Sequence, residues 1–295
     1  MKDVIFKGVA TALITPFKNG TIDYEAFARI IEDQIAAGVD ALVVAGTTGE
    51  CSTLTDEEQF DEIEFVVKQV NHRVPVIAGT GSNDTRHGIN LCKGACERGA
   101  DALLIVTPYY NKTSQRGLIA HYNALADAST KPIIVYNVPS RTGMTILPET
   151  YVELAKHPMI NSVKEASGNL EKIKLAVEAA NGELNFYSGN DDQIVEIMEM
   201  GGLGVISVLS NVLPKEAKEL TESMLNGDCE KAKSMQNKYM PLIKALFSDV
   251  NPIPVKEAMH MLGYCEQEMR MPLIPMEDEK RVALKSELIK AGFNL

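Results

Sequence analysis

Lys164 closes a short β-type run, Ile160-Asn161-Ser162-Val163, and is followed by Glu165-Ala166-Ser167-Gly168, which reads as an exit turn. Burial inside a sheet strips water from an ammonium and so favours the neutral amine. A neutral amine near working pH can attack a carbonyl carbon and form a Schiff base. The plainer alternative is a strand-end lysine whose stem packs while its head reaches water. Other groups end neighbouring runs. Gly46-Thr47-Thr48-Gly49-Glu50 brackets two hydroxyls with glycines, and its backbone amides can face an anion. Thr107-Pro108-Tyr109-Tyr110-Asn111 supplies two phenols, and Tyr136-Asn137-Val138-Pro139-Ser140-Arg141-Thr142-Gly143 supplies a phenol at a strand end and a guanidinium in the loop. Ser188-Gly189-Asn190-Asp191 and Ile206-Ser207 end two more runs. Amine, phenol, hydroxyls and arginine together suit covalent carbonyl chemistry: the phenol relays protons if hydroxyls orient it, and the forked guanidinium holds a carboxylate. Each motif also has a plain reading. Gly46 to Glu50 could be a turn entering a helix capped by Thr55, Tyr109-Tyr110 a surface or oligomer contact, and Arg141 a solvated charge. Their shared rim is the evidence.

That rim requires strands whose C-terminal ends converge. β-type runs recur at 9–14, 41–45, 74–78, 101–106, 132–136, 160–164, 184–188 and 203–208, with helical patterns between them such as Tyr24 to Ala37, Asp56 to Val70 and Glu149 to Lys156. The interval is about one strand plus one helix and its loops. Eight such units predict an α/β fold, a (β/α)8 TIM barrel whose site lies at the strand C-termini. An internal repeat agrees: Gly38-Val39-Asp40-Ala41-Leu42-Val43-Val44 matches Gly99-Ala100-Asp101-Ala102-Leu103-Leu104-Ile105, two units apart. Chance likeness of two buried strands is the alternative. After residue 213 the strand pattern stops, and helices are expected at 214–226, 228–247, 254–262 and 278–291. The expected organisation is a barrel over residues 1–213 carrying the site and a C-terminal helical extension over 214–295.

Length and composition fit one large globular α/β chain: 295 residues, 45% hydrophobic and 23% charged. A net charge of −11 argues against nucleic acid or an anionic membrane as partner. No apolar run reaches the ~20 residues that span a bilayer, and the start, Met1 to Gly8, is too short and polar for a signal peptide. Five scattered cysteines without C-x-x-C fit reduced thiols, and a cytoplasmic location is expected. The five histidines are scattered and none ends a strand, so no metal is expected; no dinucleotide or phosphate-loop motif occurs, and no cofactor is expected.

Taken in order and spacing, Gly46-Thr47-Thr48-Gly49-Glu50, Tyr136 to Pro139 with Arg141-Thr142-Gly143, and Val163-Lys164-Glu165-Ala166-Ser167-Gly168 resemble the dihydrodipicolinate synthase / N-acetylneuraminate lyase family, from about residue 4 to the C-terminus. The resemblance implies that Lys164 forms the Schiff base with pyruvate and that Tyr136 shuttles protons. Thr47 and Tyr110 would complete the relay, Tyr110 coming from a neighbouring subunit. Thr48 and the backbone at Ile206 would hold the pyruvate carboxylate, with Gly189 nearby, and Arg141 would hold the carboxylate of the second substrate. Relatives that cleave sialic acid or keto-deoxy sugar acids share the lysine and tyrosine. The Thr47-Thr48 pair, Tyr110 and Arg141 favour the synthases, whose second substrate is L-aspartate 4-semialdehyde. A homo-oligomer, a dimer of dimers, is implied as well. Lysine-inhibited members bind lysine at the dimer interface, through two histidines after the Gly-Thr-Thr-Gly-Glu motif and an acid on the helix after the third strand. This chain has Asp56, Gln59 and His87 at those positions, keeping Asn83 and Tyr109, so weak or absent feedback by lysine is expected.

Overall fold

The structure, a computed structural model, describes residues 2–295. Eight parallel strands form a closed barrel: in chain order Gly8–Ala12, Ala41–Val44, Val76–Gly79, Ala102–Val106, Ile133–Asn137, Ile160–Glu165, Asn185–Ser188 and Gly204–Ser207. The first strand pairs with both the second and the eighth, so the sheet has no edge. Every expected run overlaps one of these strands, with bounds that differ by one or two residues.

Local chemistry explains the alternation. The helix Tyr24–Ala36 starts where the Asp23 side chain accepts the Ala26 amide, and Asp56–Val70 starts in a capping box of Thr55 and Glu58. The internal repeat has a physical basis. Gly38 and Gly99 hold left-handed φ of 85° and 87° at the exits of two helices. The aspartates that follow, Asp40 and Asp101, each accept an amide of the preceding barrel strand, from Val9 and Val76, at 2.9 Å. One element was not foreseen: Phe17–Lys18 and Thr21–Ile22 pair as a small antiparallel hairpin. Its turn is Asn19-Gly20, both at positive φ, which is the dipeptide a two-residue hairpin favours.

The strands are buried on both faces, as a parallel barrel demands. Outward residues such as Val9, Leu42, Val135 and Val163 pack under the helices. Several inward residues are small, Ala10, Ala12, Ala41 and Ala102 among them, which leaves room for Tyr136 and Tyr187. Phe6 stacks on Tyr187 at 4.2 Å between ring centroids, and the Tyr187 hydroxyl donates to the Phe6 carbonyl at 2.7 Å. This pair sits at the N-terminal end of the barrel.

The C-terminal helices are Pro214–Leu225, Cys229–Leu246, Ile253–Met261 and Asp278–Lys290. They share the outer core, through Leu220, Leu246, Val255 and Leu284. Lys256 reaches Glu50 at 2.5 Å with both side chains buried, and the Arg270 amide donates to the other Glu50 oxygen at 3.1 Å. The Lys256 ammonium and Arg270 guanidinium both lie over the Phe17 ring, at 4.3 and 4.6 Å. The C-terminal region therefore grips the loop after the second strand, next to the predicted rim.

Candidate active site

Strand register builds the core of the site. Tyr136 and Lys164 are direct partners on the fifth and sixth strands, so both side chains point into the barrel. The Lys164 ammonium lies 4.4 Å from the centre of the Tyr136 ring. Gly189, at the end of the seventh strand, packs against the lysine: a Cβ there would stand 3.1 Å from Lys164 Cε and 2.7 Å from Ala166 Cβ. A side chain at that position would push the lysine aside.

Burial pushes the Lys164 amine down to about 8; the Asp191 charge opposes this and Arg141 adds to it. Burial pushes the Tyr136 phenol up to about 12, while Arg141 and Thr47 act to lower it. At neutral pH the site therefore holds a partly neutral amine beside a protonated phenol, a nucleophile beside a proton donor.

A cavity of about 440 Å³ opens at the strand C-termini, with Thr47, Tyr109, Tyr136, Arg141 and Asn251 among its walls. Lys164 is not on that wall; it stands against the Tyr136 ring that is. Thr48 is buried beneath the rim, and Ile206 lies in the inner core with its backbone on the eighth strand. Arg141 sits on a one-turn helix, Pro139–Thr142, where an irregular loop was expected. Tyr110 is 91% exposed at a left-handed φ of 64° and does not line the cavity of its own chain.

Sequence reasoning missed two residues that shape this rim. Asn251 donates from Nδ2 to the Thr48 hydroxyl at 3.1 Å, and its backbone carbonyl accepts from Arg141 at 2.8 Å. It thus ties the two proposed carboxylate-binding side chains together from the C-terminal region. Asp191 accepts from Ser207 Oγ at 2.5 Å and from the amides of Val208 and Leu209, which fixes the turn leaving Ile206. The Ser-Gly-Asn-Asp run carried the second signal; no spacing carried the first. Among the described residues no cluster of three His, Cys, Asp or Glu side chains could hold a metal.

The profile of the Dihydrodipicolinate synthetase family matches residues 5–291. The chain belongs to this family. A 4-hydroxy-tetrahydrodipicolinate synthase of Caldicellulosiruptor saccharolyticus is 52% identical over 292 residues, covering 99% of each chain. The pyruvate complex of the chloride-inhibited dihydrodipicolinate synthase from Acinetobacter baumannii superposes with a TM-score of 0.96 at 42% identity, covering 98% of this chain and 99% of that one. The lysine-bound dihydrodipicolinate synthase of Cyanidioschyzon merolae gives 0.95 at 38% identity, with 98% and 99% covered. The family match takes in the C-terminal helices as well as the barrel.

Proposed function

We propose that this chain catalyses the class I condensation of pyruvate with L-aspartate 4-semialdehyde to 4-hydroxy-tetrahydrodipicolinate, on the way to diaminopimelate and lysine. The observation that carries the reading is the buried amine of Lys164, held near 8, in register with the Tyr136 phenol. The amine adds to the ketone of pyruvate and expels water as the imine forms. Loss of a methyl proton gives an enamine, whose carbon attacks the aldehyde. The amino group of the second substrate then displaces Lys164 from the imine carbon, closing the ring and freeing the lysine. Tyr136 moves protons in these steps with Thr47 and Tyr110 as its relay, while Thr48, Gly189 and the backbone at Ile206 seat the pyruvate carboxylate. The rim carrying these groups belongs to residues 1–213, and residues 214–295 brace it through Asn251 and Lys256. The five free cysteines fit a cytoplasmic setting. Tyr110, exposed on its own chain, fits a homo-oligomer, a dimer of dimers, in which it serves a neighbour.

Arg141 tests the choice of second substrate. Its guanidinium is oriented by the Asn251 carbonyl and borders the cavity. A charge-assisted bidentate bond to a carboxylate contributes roughly 1.5–3 kcal/mol. Arg141→Ala should therefore raise KM for aspartate semialdehyde by about tenfold or more, with a smaller change for pyruvate. Equal changes for both would make Arg141 a loop-ordering residue. Efficient cleavage of N-acetylneuraminate by the native protein would transfer the function to the sugar-acid lyases.

Feedback by lysine should be weak or absent. Asp56, the acid that stands at one of the altered positions, is already engaged: His87 Nε2 lies 2.9 and 3.1 Å from its two oxygens, and Ser82 Oγ is 3.2 Å from His87 Nδ1. A lysine entering there would have to break that pair. Initial rates at saturating pyruvate should hold in ~millimolar lysine, and strong inhibition would show that another group has replaced the lost acid.

A further inference from the structure

The first turns of the helix Asp56–Val70 are rich in acids, and Glu62 stands apart from the rest because it is fully buried. Its Oε1 lies 2.7 Å from the Thr15 hydroxyl, and the same hydroxyl lies 2.8 Å from the Gly49 carbonyl. A hydroxyl carries one proton, so Thr15 can donate to only one of these oxygens. With Glu62 ionised, two buried acceptors compete for that proton and one is left without it. With Glu62 protonated, the acid donates to Thr15, Thr15 donates to Gly49, and both contacts are made. The other carboxyl oxygen, Oε2, has no hydrogen-bond partner. That is tolerable for a neutral carbonyl oxygen and costly for half of a buried charge.

The charged and titratable groups around Glu62 do not reverse this. Tyr24 from the first helix and Cys51 from the loop are uncharged at neutral pH and feel its field. Lys256 and Arg270, from the C-terminal region, favour the anion, but they are engaged by Glu50 and Glu58. Burial pushes the carboxyl up to about 8, with Thr15, the Ala45 amide, Lys256 and Arg270 pulling the other way. Ala45, at a left-handed φ of 53°, and Gly49 are the two ends of the segment that carries Thr47 and Thr48.

We propose that Glu62 is a positioning residue: as a neutral acid it locks the Thr47-Thr48 segment through Thr15, and its ionisation releases that segment. The lock deepens the condensation reading, and only its kinetic readout rests on that reading.

The test compares native protein with Glu62→Gln, whose amide can still donate to Thr15 but has no proton to lose. In the unfolded chain Glu62 ionises near the ordinary value of about 4.3, while the folded chain keeps its proton up to about 8. The folded state then binds more protons, so native stability falls as pH rises across that window. The Tm of Glu62→Gln relative to native should climb with pH from about 4.3 and level off above about 8. A pH-independent gap overturns the proposal. In kinetics, native kcat should decline above about 8, while Glu62→Gln and Glu62→Leu hold theirs, since either leaves Thr15 free to bond Gly49. Thr15→Val should lower kcat at every pH. An alkaline decline identical in native and Glu62→Gln overturns the locking role even if the Tm gap widens. A chain with different substrates would still show that widening gap, so the two failures are separable.

Discussion

Lys164→Arg should abolish turnover, by on the order of 10³-fold or more, and with it the trapping of pyruvate by borohydride. Arginine keeps the charge and much of the length, but its guanidinium stays protonated and cannot add to a ketone. Native protein treated with pyruvate and borohydride should gain one pyruvate-derived group, and peptide mapping should find it on Lys164. The trapping rate should rise with pH through about 8, because burial lowers the amine to that value and only the neutral form attacks. Modification of another lysine, or active protein with no adduct, would remove the covalent step from Lys164.

How much of this was legible depends on the range of the interaction. Lys164 and Tyr136 could be read because each ends a regular strand, and eight regular strands leave their ends nowhere to go but a common rim. Thr55 could be read as a cap because capping is local, and the Asn19-Gly20 hairpin carries an equally local signal. Glu62 sits in an acidic stretch that reads as solvated, yet it shares a helical face with Gln59, Ile63 and Val66, so periodicity alone could have placed it inside. Asn251 left no such trace. Its partner Thr48 is 203 residues away, and an asparagine ahead of a proline looks like any turn. The Asp56–His87 pair was likewise hidden, since each residue looks solvated until two helices bring them together. Tyr110 marks the limit of a single chain, whose exposure of that ring has meaning only if another subunit receives it.

Mixing two inactive variants should restore activity if that is so. In Lys164→Ala subunits no Schiff base can form. In Tyr110→Phe subunits the lysine remains, but the relay loses a phenolic proton, which general acid–base losses put at about 10²-fold or more. Suppose each site takes Lys164 from one chain and Tyr110 from its two-fold partner. A mixed dimer then holds one site with both native groups and one with neither. Random reassembly makes about half the dimers mixed, so about a quarter of all sites regain the native pair. That recovery stands well above either parent. If Tyr110 acts within its own chain, or only packs, every site in the mixture keeps a defect and the activity stays at the average of the parents. The same experiment requires subunits that associate, so a fully active monomer in sedimentation would remove the shared site outright.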